Sequence, residues 1–304
     1  MLLERFKALS DETRLRIYGV LLRHELNVNE LVSVFGMGQS RVSRHLKILT
    51  DCGLLQCRKD GLWSFYSADM GQAGTDWSEL IKKDGYPKSQ QDQEVAVRVY
   101  NRRTEDQARF FDTVAENWEQ LKEELLAGSG MEKRLEHLIP HCGVVVDLGC
   151  GTGDLLPLLS RKAKQVIGVD NSPGMLEEAR KRHHLDETRV SLRVGDLSHL
   201  PLRDEEVDCA VMTMVLHHMS EPEKVVLEVA KVLKAGKTFV LIDLSKHRDE
   251  KMRSRYHDRW LGFKPDDIRS WLTRAGLDVE EEETFPLKNG LEAFALQARK
   301  KRKS

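Results

Sequence analysis

Val144-Val145-Val146-Asp147-Leu148-Gly149-Cys150-Gly151-Thr152-Gly153 is the stretch that decides the fold of this 304-residue chain. An apolar run opening into a glycine-rich turn is what a buried parallel strand needs to deliver main chain to a nucleotide-like ligand. Gly149, Gly151 and Gly153 carry no side chain, so the turn can bend sharply and admit a ligand close to the backbone. Outward from it, Val166 to Asp170 is a second apolar run, ending in a carboxylate 23 residues after Asp147. In a doubly wound sheet the second strand presents such an acid to ribose hydroxyls. A third run, Val190 to Asp196, closes on Gly195-Asp196. The three read as successive strands of one ligand crevice.

The glycine spacing is G-x-G-x-G, whereas the dinucleotide fingerprint G-x-G-x-x-G has its third glycine one residue later. Asp147, just ahead of the turn, suits an amine or a structural hydrogen bond better than a pyrophosphate. On these motifs, residues 105 to 298 resemble the class I S-adenosylmethionine-dependent methyltransferases. The resemblance implies a Rossmann-like α/β domain in which Asp147 to Gly153, among them Gly149, Cys150 and Gly151, cradle the amino-acid part of S-adenosylmethionine or of its demethylated product, S-adenosylhomocysteine. It places Asp170 at the ribose and Asp196 and Leu197 at the adenine, and counts Asn171 and Met175 among the ligand-binding residues. The sulfur is expected near Asp147, Met212 or the segment Phe111 to Trp118. There the faces of Phe111 and Trp118 would attract a sulfonium cation, or simply fill core.

Length and composition agree with more than one domain. At roughly 100 to 200 residues per domain, 304 residues predict two. With 48 basic against 49 acidic residues, net charge announces no nucleic-acid partner at whole-chain level. Charged residues are 32% and mean hydropathy is -0.47, which fits a soluble chain. No window approaches the ~18 uninterrupted apolar residues of a membrane span. Met1-Leu2-Leu3-Glu4-Arg5 is not a secretory start, so a cytoplasmic location is expected. Cys52, Cys57, Cys142, Cys150 and Cys209 form no C-x-x-C pair, and free thiols suit a reducing compartment.

The N-terminal third carries a different signal. Phe6 to Ile17 contains a polar cap at Ser10, acids in the following turn and apolar positions at helical spacing. A short helix, Val28 to Phe35, is followed by the break Gly36-Met37-Gly38. In Gln39 to Leu49, Val42, Leu46 and Leu49 share one face, while Gln39, Ser40, Arg41, Ser43, Arg44, His45 and Lys47 provide a basic, hydroxyl-rich surface. Such a second helix suits the major groove. Gln56 to Tyr66 has a hairpin's shape around Asp60-Gly61, with Arg58 and Lys59 expected at its tip. Residues 39 to 59 hold five basic side chains against Asp51, a local charge of +4.

Residues 2 to 68 resemble the ArsR family of winged-helix repressors, on Leu9-Ser10-Asp11-Glu12-Thr13-Arg14-Leu15 and Val42-Ser43-Arg44-His45-Leu46-Lys47. The resemblance implies a homodimer on palindromic operator DNA. Metal-sensing members carry Glu-Leu-Cys-Val-Cys-Asp-Leu where this chain reads Glu25-Leu26-Asn27-Val28-Asn29-Glu30-Leu31. Asparagine amides are poor ligands for soft metals, so no metal switch is expected and the inducer is sought in the other domain.

The organisation expected is therefore a winged helix-turn-helix domain at 1–70, a dimerisation helix and linker at 71–104, and the ligand-binding domain at 105–304. Trp77, Leu80 and Ile81 would form the dimer helix, with the rest, to Arg103, as linker. No catalytic residue is assigned. His217-His218, after the apolar run Val207 to Met212, suit a general base or a structural corner. His137, His141, His183 and His184 lack metal-type spacing, so no metal is expected, and no cysteine arrangement supports arsenic methylation. Residues 246 to 260 read as a solvated polar lid, which in a small-molecule methyltransferase borders the acceptor pocket, and the basic Arg299 to Lys303 as a frayed tail or a contact to DNA phosphates. The architecture looks like the S-adenosylhomocysteine-responsive regulators of the methionine cycle. The rival expectation is a working small-molecule methyltransferase whose DNA-binding domain autoregulates it. A DNA-targeted methyltransferase has no Asn-Pro-Pro-Tyr or Pro-Cys motif in its support.

Overall fold

The computed structural model describes residues 2–60, 63–69, 81, 83, 85–115, 118–183, 185–186 and 188–302. The Gly61 turn, Trp77, Leu80, His184 and Lys303 lie outside the described residues. The chain divides into two compact units, residues 1–106 and 107–304.

In the first unit, α1 (Leu2–Leu9) and α2 (Glu12–Leu21) are separate helices. The break corrects the cap expected at Ser10: Asp11 accepts a hydrogen bond from the Arg14 amide and starts α2. Strand β1 (Leu26–Asn27) leads into α3 (Val28–Phe35), whose first turn is closed reciprocally by Asn27 and Glu30. Gly36, left-handed at φ 62°, ends α3. Helix α4 (Gln39–Asp51) then buries Val42, Leu46 and Leu49 completely. Strands β2 (Leu55–Asp60) and β3 (Trp63–Ala68) pair antiparallel, and β1 adds to β3. This is the winged helix-turn-helix expected from sequence.

Residues 89 to 103, expected as linker, are instead helix, part of α5 (Ser89–Val114). Gln, Glu and Arg are good helix formers, so polarity alone does not separate a linker from a helix. What anchors this one is a buried pair: Asp92, 2% exposed, takes two hydrogen bonds from the Arg16 guanidinium at 2.8 and 2.7 Å, and Ala96 is fully buried.

The second unit is built on a seven-stranded sheet in the order β6-β5-β4-β7-β8-β10-β9. Its strands are β4 (Cys142–Leu148), β5 (Ala163–Asp170), β6 (Val190–Val194), β7 (Val207–Thr213), β8 (Leu233–Leu244), β9 (Leu277–Pro286) and β10 (Glu292–Lys300). β4, β5, β6, β7 and β8 pair parallel, while β10 runs antiparallel between β8 and β9. Helices α6 (Trp118–Leu126), α7 (Met131–Leu138), α8 (Leu156–Lys162), α9 (Pro173–Arg182), α10 (Pro222–Val232), α11 (Lys251–Tyr256) and α12 (Pro265–Arg274) complete the unit. Two apolar clusters, one containing Val146, Met212 and Phe239, the other Val145, Cys209 and Ile242, cover the two faces of the sheet. β4 and β7 therefore read as continuous apolar runs rather than alternating ones.

Strand order reverses at β4, between β5 on one side and β7 on the other. At such a switch point the loops leaving the carboxyl ends diverge and open a crevice. The far edge, β9, carries Glu280, Glu282 and Glu283, ion-paired to Arg299 of β10, Arg269 of α12 and Arg134 of α7, respectively, and Glu281, which lies 3.5 Å from His137 of α7. Arg299 and Lys300 accordingly belong to a strand and not to the frayed tail expected there.

Candidate ligand crevice and nucleic-acid interface

The glycine turn after β4 divides its labour. Gly149 and Gly153 are left-handed at φ 74° and 82°, and a Cβ there would meet Val215 Cγ2 at 2.5 Å or Leu156 Cδ1 at 2.8 Å. Both are needed for packing. Gly151, at φ 51°, is different: its Cβ would find Trp118 Nε1 at 3.9 Å and nothing nearer. Of the three glycines it is Gly151 that faces open space, as a cradle for a ligand requires.

The two acids expected in the crevice stand at its floor. Asp147, 2% exposed near the end of β4, is pushed up to about 7 by burial and by Asp170, with Lys122 opposing. Asp170, ending β5, is also raised by burial, against three main-chain amides that favour its charge. It accepts hydrogen bonds from the amides of Gly151 and Ser172, both at 2.9 Å. The turn and the carboxylate thus fix each other. Met175, Met212 and Cys150 are buried, and Leu197 is buried beside an exposed Asp196 whose carboxylate accepts from the Ser198 amide at 2.8 Å. Asn171 is half-buried directly after Asp170.

The aromatic segment is placed over this floor by a residue without a sequence signal. Asp112, near the end of α5, accepts hydrogen bonds from the Ser172 hydroxyl and, at 3.0 Å, from the Gly174 amide at the start of α9. Phe111 then meets Trp118 edge to face at 5.2 Å and His218 at 5.1 Å. An acid next to aromatic residues forms no motif, because its partners lie about sixty positions away.

His217 and His218 fall in a 3-10 turn, Leu216–His218, and both are buried. The Nδ1 of His217 lies 2.6 Å from Asp243 Oδ1, and Asp243 is itself held by the amides of Leu216 at 2.8 Å and Leu244 at 2.7 Å. Asp258, 3% exposed, closes the group from the other side. Burial works against charge on His217, yet Asp243 and Asp258 raise its proton affinity. Burial and the neighbouring His217 lower that of His218. Residues 246 to 260 are therefore not simply a solvated lid: Met252, Tyr256 and Asp258 all turn inward.

In the first unit, Gln39, Ser40, Arg41, Ser43, Arg44 and Lys47 are exposed on α4, opposite Val42, Leu46 and Leu49, and Lys59 is exposed on β2. Two residues expected with them are otherwise engaged. Arg58 grips both oxygens of Glu25, at 3.0 and 2.8 Å, and stacks over Phe65 at 4.6 Å. His45 is turned inward, its Nδ1 4.0 Å from Asp11, and burial lowers its proton affinity. Sequence spacing does not separate these structural cations from the outward ones.

A family model described as a methyltransferase domain matches residues 146–241, and one described as bacterial regulatory protein, arsR family, matches residues 11–56. A demethylmenaquinone methyltransferase of Thermotoga maritima is 33% identical over 165 residues, covering 51% of this chain and 70% of the relative. One from Symbiobacterium thermophilum is 30% identical over 166 residues, 51% of this chain and 66% of that protein. A 37.1 kDa protein in transposon TN4556 of Streptomyces fradiae is 37% identical over 99 residues, which are 32% of this chain and 28% of the relative. The chain thus spans under two thirds of the length of the last two. Among solved structures, a chain from a complex between the Trm112 methyltransferase activator and a methyltransferase of Haloferax volcanii superposes with TM-score 0.54 at 23% identity, over 64% of this chain and 98% of that one. That likeness speaks for the fold.

Fold and crevice define a class I methyltransferase domain preceded by a winged helix. The chain belongs to the methyltransferase-domain family, and its N-terminal unit carries a DNA-binding domain of the ArsR type. The family membership supports binding of S-adenosylmethionine or S-adenosylhomocysteine in general.

Proposed function

We propose that this chain is a transcriptional repressor whose operator binding is controlled by S-adenosylhomocysteine or S-adenosylmethionine. The observation that carries the reading is the presence, in one chain, of an outward basic row on α4 and a built crevice at the β4 switch point. The side chains of Arg41, Arg44 and Lys47 are exposed on α4, as side chains reserved for phosphate or base edges would be. Asp147, Gly149, Cys150 and Gly151 receive the amino-acid part of the ligand, Asp170 and Asn171 the ribose, with Met175 beneath them, and Asp196 and Leu197 the adenine. Phe111, Trp118 and Met212 surround the sulfur. The cradle at Gly151 and the buried acids beside it fit a zwitterionic nucleoside. The chain acts as a homodimer; Leu2, Leu3 and Phe6 are 60%, 65% and 48% exposed on α1, an apolar cluster suited to a second copy.

The test is a duplex selected by this protein from random sequence, titrated with and without S-adenosylhomocysteine. Release of the duplex on adding the ligand is expected. Unchanged affinity for the duplex defeats the regulatory reading.

A second reading, a working small-molecule methyltransferase, is favoured by the buried His217–Asp243 pair beside the Phe111 segment. Bound S-adenosylmethionine supplies the methyl group, and His217, oriented by Asp243, would hold the acceptor's proton. Production of S-adenosylhomocysteine on adding a quinol acceptor, lost in His217→Asn, distinguishes it.

A further inference from the structure

His217, His218 and Asp258 converge from two segments about forty residues apart onto one buried point. His217 Nε2 lies 3.6 Å and His218 Nδ1 3.9 Å from the same Asp258 oxygen, Oδ1, and the three potential ligand atoms lie within 4.8 Å of one another.

Three observations make this arrangement incomplete as it stands. Both carboxylate oxygens of Asp258 and the Nδ1 of His218 are buried without a hydrogen-bond partner among the described residues. Interiors rarely leave such groups unsatisfied, and a buried carboxylate least of all. Second, His217 is held from behind: Asp243 takes its Nδ1 and is itself clamped by two main-chain amides, so that Nε2 is aimed toward Asp258. A carboxylate that fixes the tautomer and orientation of an imidazole from the rear is the usual support of a metal-binding histidine. Third, the group gathers two carboxylates in one buried place: Asp243 is fully buried and Asp258 is 3% exposed. A divalent cation would meet both.

We propose that His217 Nε2, His218 Nδ1 and the Asp258 carboxylate form a binding site for a first-row divalent transition metal of the Zn²⁺ or Fe²⁺ class. Two imidazoles and one carboxylate suit borderline cations and disfavour Mg²⁺ and Ca²⁺, which prefer all-oxygen shells. Bonds of about 2.0 to 2.1 Å in a tetrahedral shell set ligand atoms roughly 3.3 Å apart, so the spacings to Asp258, 3.6 and 3.9 Å, contract by tenths of an ångström on binding, while the two histidine nitrogens, within 4.8 Å of each other, move further. Three protein ligands leave a position for water or for an exchangeable oxygen or nitrogen donor. The site is distinct from the crevice residues at β4 and β5, and the inference goes beyond the regulatory reading without depending on it.

Co²⁺ and Zn²⁺ are the probes, added to the full chain after chelator treatment and followed by dialysis with elemental analysis. One equivalent per chain is expected, with visible Co²⁺ bands and hyperfine-shifted imidazole N–H resonances. A rise in the thermal midpoint, reversed by chelator, should accompany binding. Asp258→Asn and His218→Gln are expected to weaken binding at least tenfold, and Asp243→Asn by about 10- to 100-fold. His137→Gln should bind as the parent does. If Asp258→Asn fails to fold, the His218→Gln titration and the parent's N–H resonances decide. No stoichiometric binding by the parent, or parent-like binding by His218→Gln, overturns the proposal. S-adenosylhomocysteine affinity, measured on the same metal-free preparation, reports separately on the crevice.

Discussion

Gly149 and Gly151 sit two positions apart, yet the structure gives them different work, and substitution should separate them. Gly149→Ala must accept a left-handed φ and a Cβ 2.5 Å from Val215, so about 2 to 4 kcal/mol of stability should be lost in urea unfolding. Gly151→Ala meets nothing closer than 3.9 Å; about 1 to 2 kcal/mol of strain is expected, with a larger loss in S-adenosylhomocysteine affinity by calorimetry. A Gly151→Ala protein binding the ligand as the parent does would remove the cradle from the crevice. Asp147 adds a pH dependence. Its folded pKa, about 7, lies above the ordinary 3.8, so the folded chain keeps a proton that the unfolded chain loses. The sign follows: this group lowers stability as pH rises from about 4 to about 7, and the loss levels off above. A ligand ammonium pairs with the ionised form, so affinity should climb as pH approaches about 7 and then flatten, a dependence that Asp147→Asn abolishes. The glycine and carboxylate positions are legible in the sequence because ligand-facing turns draw on few residue types. Asp112, Asp243 and Asp258 are not, since each acts through partners far away along the chain.

Helix α4 and the wing illustrate what a pattern alone can and cannot assign. The alternation of buried Val42, Leu46 and Leu49 with outward cations is readable because helical periodicity is local. Whether an individual cation points to solvent depends on acids elsewhere, here Glu25 for Arg58. The two classes should behave differently. Arg44→Ala and Lys47→Ala are expected to weaken DNA binding and to lower its salt slope by about one for each phosphate no longer neutralised, with thermal stability preserved. Arg58→Ala should instead lower thermal stability, by about 1 kcal/mol or more, through loss of the Glu25 pair and the Phe65 stack. Reversed results would exchange their roles. At α5, polar composition reads as linker because it hides an amphipathic helix whose anchor is an ion pair. Asp92→Ala strands Arg16 in a half-buried site and should cost about 1 to 3 kcal/mol.

Between the two units, any regulation must obey reciprocity. A coupling of ~1 to 3 kcal/mol changes operator affinity roughly 5- to 150-fold, and operator DNA must then weaken S-adenosylhomocysteine binding by the same factor. Equal ligand affinities with and without operator exclude the coupling and leave the methyltransferase reading ahead. On the proposed α1 dimer, Leu3→Glu combined with Phe6→Glu should yield monomers by light scattering. Length and motif content predict two units, since each brings its own apolar core; they do not predict the junction inside α5, because one helix crosses a boundary that composition places in a loop. The acidic edge strand β9 has a consequence for crowded solutions. Four glutamates, three of them latched to α7, α12 and β10, make the sheet's rim a poor template for an incoming strand. Its guard is electrostatic, so concentrated salt weakens the latches, and acid, by neutralising the glutamates, removes the repulsion as well. Folded chains should then turn from mutually indifferent to adhesive along that rim, with aggregation beginning before the sheet itself unfolds.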